Sequence, residues 1–91
     1  MALVVEGDFE WDSEKAESNV ANHGVSFEEA STVLDDPNVA IVDDGAENLK
    51  AIGFSAATRL LTVVHIERGD RDRIISAWVA TSAEERLYTS G

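Results

Sequence analysis

The segment from Arg59 to Val79 constrains this chain most. Leu60, Thr62, Val64 and Ile66 alternate with Leu61, Val63, His65 and Glu67. A two-residue period is a strand period, because successive side chains point to opposite faces. Gly69-Asp70 interrupts the run with a turn, and Arg73 to Val79 resumes its apolar, β-branched character. The pattern predicts a long antiparallel hairpin. In a chain of 91 residues, a hairpin of that size is the surface against which everything else must pack. The length fits one domain, residues 1–91, with a thin core.

Punctuation elsewhere divides the chain into short elements. Phe9-Glu10-Trp11-Asp12 reads as a short strand. Asp12 or Ser13 then caps a helix running to about His23, and Gly24 suits the left-handed position beyond its end. Ala16, Val20 and His23 share one modestly apolar face of it. Ser26 and Glu29 have capping-box spacing for a second helix, from Phe27 to about Leu34, which Asp35-Asp36-Pro37 ends. Val39 to Val42 and Leu49 to Phe54 read as strands, with Asp44-Gly45 as a turn between them and Gly53 at a bulge. Thr81, Ser82, Glu84 and Glu85 signal a short C-terminal helix. The order is β-α-α-β-β-β-β-α. The expectation is therefore an α+β fold: a small antiparallel sheet of four to five strands, helices on one face, and the other face partly open to hold a site.

Charge is distributed unevenly. The net charge is −11, with eighteen acids against seven bases. Thirteen acids and one base, Lys15, fall in residues 1–48; residues 49–91 carry five acids and six bases. Overall acidity repels nucleic acid, but four arginines between positions 59 and 73 mark a local exception. With only two lysines, the chain reads either as adapted to concentrated salt, where self-repulsion is screened, or as an ordinary acidic protein. There is no cysteine, which excludes disulfides and thiolate sites. No basic start with a long apolar segment marks a secretory signal, and no apolar run reaches the roughly 18 residues of a membrane span. A soluble, cytoplasmic protein without membrane contact is expected. Two distant histidines among scattered acids show no metal-ligand spacing, Gly53 and Gly69 form no phosphate-cradling loop, and no Gly-x-Ser-x-Gly elbow occurs. Neither a metal nor a cofactor is expected.

A resemblance then becomes specific. Phe9-Glu10-Trp11-Asp12, Lys15-Ala16, Asn19 and Asn22-His23-Gly24-Val25-Ser26-Phe27-Glu28-Glu29-Ala30 resemble the opening signature of BrnT-type toxins. Asp35-Asp36-Pro37, Ala51-Ile52-Gly53, Leu60 to His65, Glu67-Arg68-Gly69-Asp70, Arg73 to Ala77, and Arg86 with Tyr88 follow in the same order. The resemblance implies the toxin of a type II toxin–antitoxin pair with a RelE-like fold, which cleaves RNA without a metal and so inhibits translation. It also implies a BrnA-type ribbon-helix-helix antitoxin, through which alone the toxin would meet operator DNA. An exposed edge strand would pair with a twin as a homodimer. The chain departs from the family where Trp78 follows Ile-Ser-Ala, where Val20-Ala21-Asn22 precedes His23, and at Ser82 to Glu85; basic residues are usual in these places. These losses imply an alternative: a catalytically weakened relative acting only as an antitoxin-binding or co-repressor module.

Cleavage without a metal needs a proton taken from the ribose 2′-hydroxyl, stabilisation of the phosphorane, and a proton for the leaving oxygen. The candidate catalytic residues are His65, Arg68, Arg73 and Glu67; Arg59, Arg71, Lys15 and Tyr88 are candidates for substrate binding. Each has a structural counterpart. His65 serves either as acid–base or as a bonded interior histidine, and the arginines either clamp phosphate or pair with Glu67, Asp70 and Asp72. Glu67 either orients His65 or acts as a base, or else pairs with Arg73 across the strands. Tyr88 either stacks on RNA or donates a proton, or else docks on the sheet; Trp78 either stacks on a base or packs within the sheet; and His23 either complements a helix dipole or touches RNA.

Overall fold

A computed structural model of the chain describes residues 2–43 and 45–90. In chain order the elements are β1 (Leu3–Glu6), β2 (Phe9–Asp12), α1 (Ser13–His23), α2 (Phe27–Thr32), a 3₁₀ turn (Val33–Asp35), β3 (Ala40–Asp43), β4 (Leu49–Phe54), β5 (Leu60–Arg68), β6 (Arg71–Val79) and α3 (Ser82–Ser90). The α+β class is as expected, but the sheet is larger and mixed. It has six strands in the order β1-β2-β6-β5-β4-β3. The additional strand is β1, whose Leu3–Glu6 pairs antiparallel with Phe9–Asp12 across a tight turn at Gly7, φ 57°. The departure from a purely antiparallel sheet is the β2–β6 contact, where Phe9 and Glu10 run parallel to Asp72 and Arg73. Parallel pairing needs a long crossover, here everything from α1 to β5, and leaves no local signal.

The caps form largely as their residues dictate. The Asp12 carboxylate accepts from the Glu14 amide at 2.8 Å, and Gly24 closes α1 in the left-handed region at φ 68°. Ser26 Oγ accepts from the Glu29 amide at 3.1 Å, but the Glu29 carboxylate turns to Arg59 instead of completing the box. A reciprocal box appears at α3, where Thr81 Oγ1 accepts from the Glu84 amide and Glu84 Oε1 from the Thr81 amide. Gly53 is not at a bulge: it lies in regular register with Leu61. A Cβ there would come within 3.1 Å of Asp36 Oδ2 and 3.3 Å of Val33 Cγ1, so close approach explains the glycine. The irregularity lies between β5 and β6, where Val64 pairs with Ser76 but His65 pairs with Ile74. Of the expected Asp44-Gly45 turn, Asp44 lies outside the described residues.

Trp11, Val25, Phe27, Ala30, Val33, Ala51, Leu61, Val63, Ile74 and Ala77 form the core between the sheet and the α1–α2 layer. Trp11 meets Phe27 edge-on at 6.0 Å. Ile52 and Thr62 are fully buried yet lie on the other face, paired with each other and outside that core. What covers them is α3, which packs against β4. The helices therefore do not all share one face: α3 closes one end of the second face and leaves the rest open. Among the described residues no helix is long and apolar enough to cross a membrane.

Candidate functional site

Strand register sorts the site residues by face. The β5 side chains of Leu61, Val63, His65 and Glu67 point to the α1–α2 layer; those of Leu60, Thr62, Val64, Ile66 and Arg68 point away from it. Lys50 pairs with Val64, Val64 with Ser76, Ile66 with Arg73, Arg68 with Arg71, and Thr62 with Trp78. Lys50, Arg68, Arg71 and Arg73 thus share the face away from α1 and α2. Four of the chain's seven bases are gathered on its open part.

Within this face Arg73 is held by Glu10, its register partner on β2. Nε donates to Glu10 Oε2 at 2.8 Å, and Nη2 lies 2.7 Å from the same oxygen. Arg68 and Arg71 stand exposed and directly opposite each other at the hairpin tip, with no ion pair among the described residues. At the other end the Trp78 indole N–H donates to Glu84 Oε1 at 3.0 Å. Burial opposes ionisation of Glu84, but the Thr81 amide and the Trp78 indole outweigh it and hold the carboxyl below its usual range. Lys50 Nζ lies 5.8 Å over the Trp78 ring, and the His23 imidazole sits 6.2 Å from it, tilted by 53°. A polar groove of about 200 Å³ continues from there between Lys15, Ser18, Asn22 and His23 of α1 and Ile75 and Ser76 of β6.

The expected cluster of His65 with Arg73 is not formed. His65 is on the helix-side face, 3% exposed, with neither ring nitrogen hydrogen-bonded. Its nearest carboxylate is Asp72, at 3.8 Å. Burial pushes its pKa down, against the weaker opposing charges of Asp72 and Glu67, so the imidazole is neutral near pH 7. The physical reason is parity: His65 follows Leu61 and Val63 on the same face, and those two are core. Glu67 shares that face and pairs in register with Asp72, while Arg73 takes Glu10 in its place.

Arg59 is also committed elsewhere. Its Nη2 and Nε bond the two oxygens of Glu29 at 2.6 and 2.9 Å, and Nη2 reaches Gly24 O at 3.1 Å. Tyr88 donates its hydroxyl to Asp36 Oδ2 at 2.7 Å and packs its ring edge-on against Phe54 at 5.5 Å, docking α3 on the sheet. Lys15 is exposed on the groove. A larger depression, about 660 Å³, is lined by Asp43, Glu47 and Glu67 with Arg68 and is too acidic to favour phosphate. Among the described residues no three His, Asp or Glu side chains converge as metal ligands.

Sequence reasoning did not single out Lys50, Ser76 or Glu10 for the site. Their positions depend on which β4 and β2 residues align with β6, and a strand's own sequence does not encode its partner's register.

A family model described as ribonuclease toxin, BrnT, of type II toxin–antitoxin system matches residues 11–84. Among solved structures, the ribonuclease toxin BrnT of Brucella abortus is similar at 25% identity over 79% of this chain and 94% of that one, with a TM-score of 0.66. No curated protein matches. The matched span runs from Trp11 in the core to Glu84 at the Trp78 indole and includes the whole β4–β6 sheet, so the chain belongs to the BrnT family of type II toxin–antitoxin ribonuclease toxins.

Proposed function

We propose that this chain cleaves RNA without a metal ion, inhibits translation in the cytoplasm, and is neutralised by a BrnA-type ribbon-helix-helix antitoxin that carries it to operator DNA. The sheet plan is proposed to be of the RelE-like kind. One observation carries the reading: Lys50, Arg68, Arg71 and Arg73 fall on one open face of a protein whose net charge is −11. Screening confines the repulsion from distant carboxylates to about 8 Å at physiological ionic strength, so a phosphate on that face responds chiefly to the guanidinium groups beside it.

Arg73 and Glu10 supply complementary groups in contact. The Glu10 carboxylate takes the 2′-hydroxyl proton, the 2′-oxygen bonds to phosphorus, and Arg73 stabilises the added phosphorane charge. The bond to the 5′-oxygen breaks as that oxygen takes a proton from water, and Glu10 releases its proton to solvent. Arg71 and Lys50 bind flanking phosphates, and Arg68, opposite Arg71, adds positive charge at the hairpin tip. In this reading Glu10 takes the proton-transfer role considered for His65, and His65 fills the helix-side end of the sheet.

The test is cleavage of RNA by the purified chain in the presence of a chelator. Arg73→Ala lowers the rate by about a hundredfold or more. A rate that survives that substitution sinks the assignment. The binding-only reading is favoured by a different observation: Glu29 and Glu10 already neutralise Arg59 and Arg73. It predicts a protein that copurifies with its antitoxin yet does not arrest growth when expressed alone.

A further inference from the structure

We propose that the indole of Trp78 is a stacking platform for one unpaired base of single-stranded RNA, with Lys50 and His23 beside it to receive the adjoining phosphates. This rests on the reading that the open face binds RNA, and it adds a residue that the cleavage chemistry does not use.

The two tryptophans have opposite surroundings. Trp11 is 1% exposed among apolar side chains of the core. Trp78 is half-buried, lies outside that core, and has an ammonium, an imidazole and a carboxylate as neighbours. These neighbours set the indole at a polar, partly exposed surface, where Trp11 is enclosed. The bond to Glu84 lies in the ring plane at the indole nitrogen, so it fixes the ring without covering a π-face. Glu84 is itself fixed by the Thr81 amide at 2.9 Å. The ring is therefore held in place before any ligand arrives, and little ordering is left to oppose binding.

Lys50 Nζ over the ring at 5.8 Å marks a π-face reachable from the open side. A base that displaces the ammonium gains the stack and leaves the cation free for the neighbouring phosphate. The groove beyond His23, with Lys15, Ser18 and Asn22 on α1, continues the polar path away from the ring. Toward the hairpin the same face leads to Arg73. Aromatic rings interleaved with cations along one track are the arrangement that unpaired nucleotides select. A duplex, whose bases are already stacked, gains nothing from the indole.

The test uses a short 2′-O-methyl oligoribonucleotide, which lacks the attacking hydroxyl and separates binding from cleavage. Titration of the full chain quenches the Trp78 emission. Trp78→Leu abolishes the quench and weakens binding about tenfold, whereas Trp78→Tyr keeps most of the affinity. Trp11 remains in the Leu variant, and its emission reports an intact core. No quench in the wild type, unchanged affinity in Trp78→Leu, or quenching by the antitoxin but not by RNA each overturns the platform. Cleavage is measured separately on unmodified RNA. A chain that binds through Trp78 but leaves RNA intact overturns the ribonuclease reading and supports the platform; cleavage with unchanged KM in Trp78→Leu does the reverse.

Discussion

The side-chain amide of Asn19 pairs with both backbone groups of Ala77. Nδ2 donates to Ala77 O at 2.8 Å, and Oδ1 accepts from Ala77 N at 3.2 Å. The same amide bonds Val25 O at 2.9 Å and Ser76 Oγ at 3.1 Å. Among the described residues the parallel register of β2 and β6 covers Phe9–Asp72 and Glu10–Arg73 alone. Beyond it Asn19 occupies the edge of β6 as one further residue of strand would, and this fixes where α1, and with it Lys15 and His23, meets the open face.

Asn19→Leu therefore leaves a buried N–H and two buried carbonyls unsatisfied. The expected loss is about 3 kcal/mol or more of unfolding free energy, since each of the three groups costs roughly 1–3 kcal/mol when orphaned. Chemical denaturation measures it. A loss under about 0.5 kcal/mol, the range of an ordinary surface substitution, would show that the edge pairing contributes little.

The elements legible in the sequence were those whose signal is local. Gly24, the Asp12 and Ser26 caps, the stop at Asp36-Pro37 and the alternation through Leu60–Glu67 all act within a few residues of themselves. What escaped depends on partners far along the chain: β1, the parallel contact of β2 with β6, the face chosen by α3, and the irregularity opposite His65. The site divides in the same way. Arg73 and Arg68 were visible as bases on a hairpin, but the carboxylate beside Arg73 comes from β2. The placing of His65 was half legible, because its alternation with Leu61 and Val63 already put it on their side. Nothing local said that this side was the closed one.

Burial of His65 makes stability depend on pH. Its folded pKa lies below the ordinary 6.5, so between those two values the unfolded chain binds more protons. Stability is full above pH 6.5 and falls as the pH drops toward the folded value. Glu29, held below its usual 4.5 by Arg59, and Asp36, held below 3.8 by the Phe54 and Asn38 amides and the Tyr88 hydroxyl, lose their contributions only at more acid pH. Urea midpoints between pH 8 and 5 should decline in the wild type and be flatter in His65→Leu. An equal slope in both would remove His65 as the cause.

Gly53→Ala places a methyl group 3.1 Å from Asp36 Oδ2, an oxygen that accepts both the Phe54 amide and the Tyr88 hydroxyl at 2.8 and 2.7 Å. Steric conflict with this junction costs about 1–3 kcal/mol and loosens α3, whose Tyr88 docks there. Hydrogen exchange should show reduced protection in α3 beyond the global loss of stability. Uniform loss across the chain would argue that Asp36 does not specifically hold the helix.

Arg68 and Arg71 test whether the open face was shaped for binding or for folding. Like charges directly opposite across a strand pair destabilise by roughly 0.2–1 kcal/mol, and these two have no carboxylate partner among the described residues. Arg71→Thr should therefore raise the unfolding free energy by a few tenths of a kcal/mol. The same change removes one phosphate contact, so RNA affinity falls and the slope of log K against log salt becomes shallower by about 0.7 for a single strand. Measured together, a gain in stability with a loss in affinity means that the pair persists against its folding cost because a polyanion compensates it in the complex. A salt-adapted chain in which repulsion dominates gives the opposite salt trend, with binding that strengthens as salt is added.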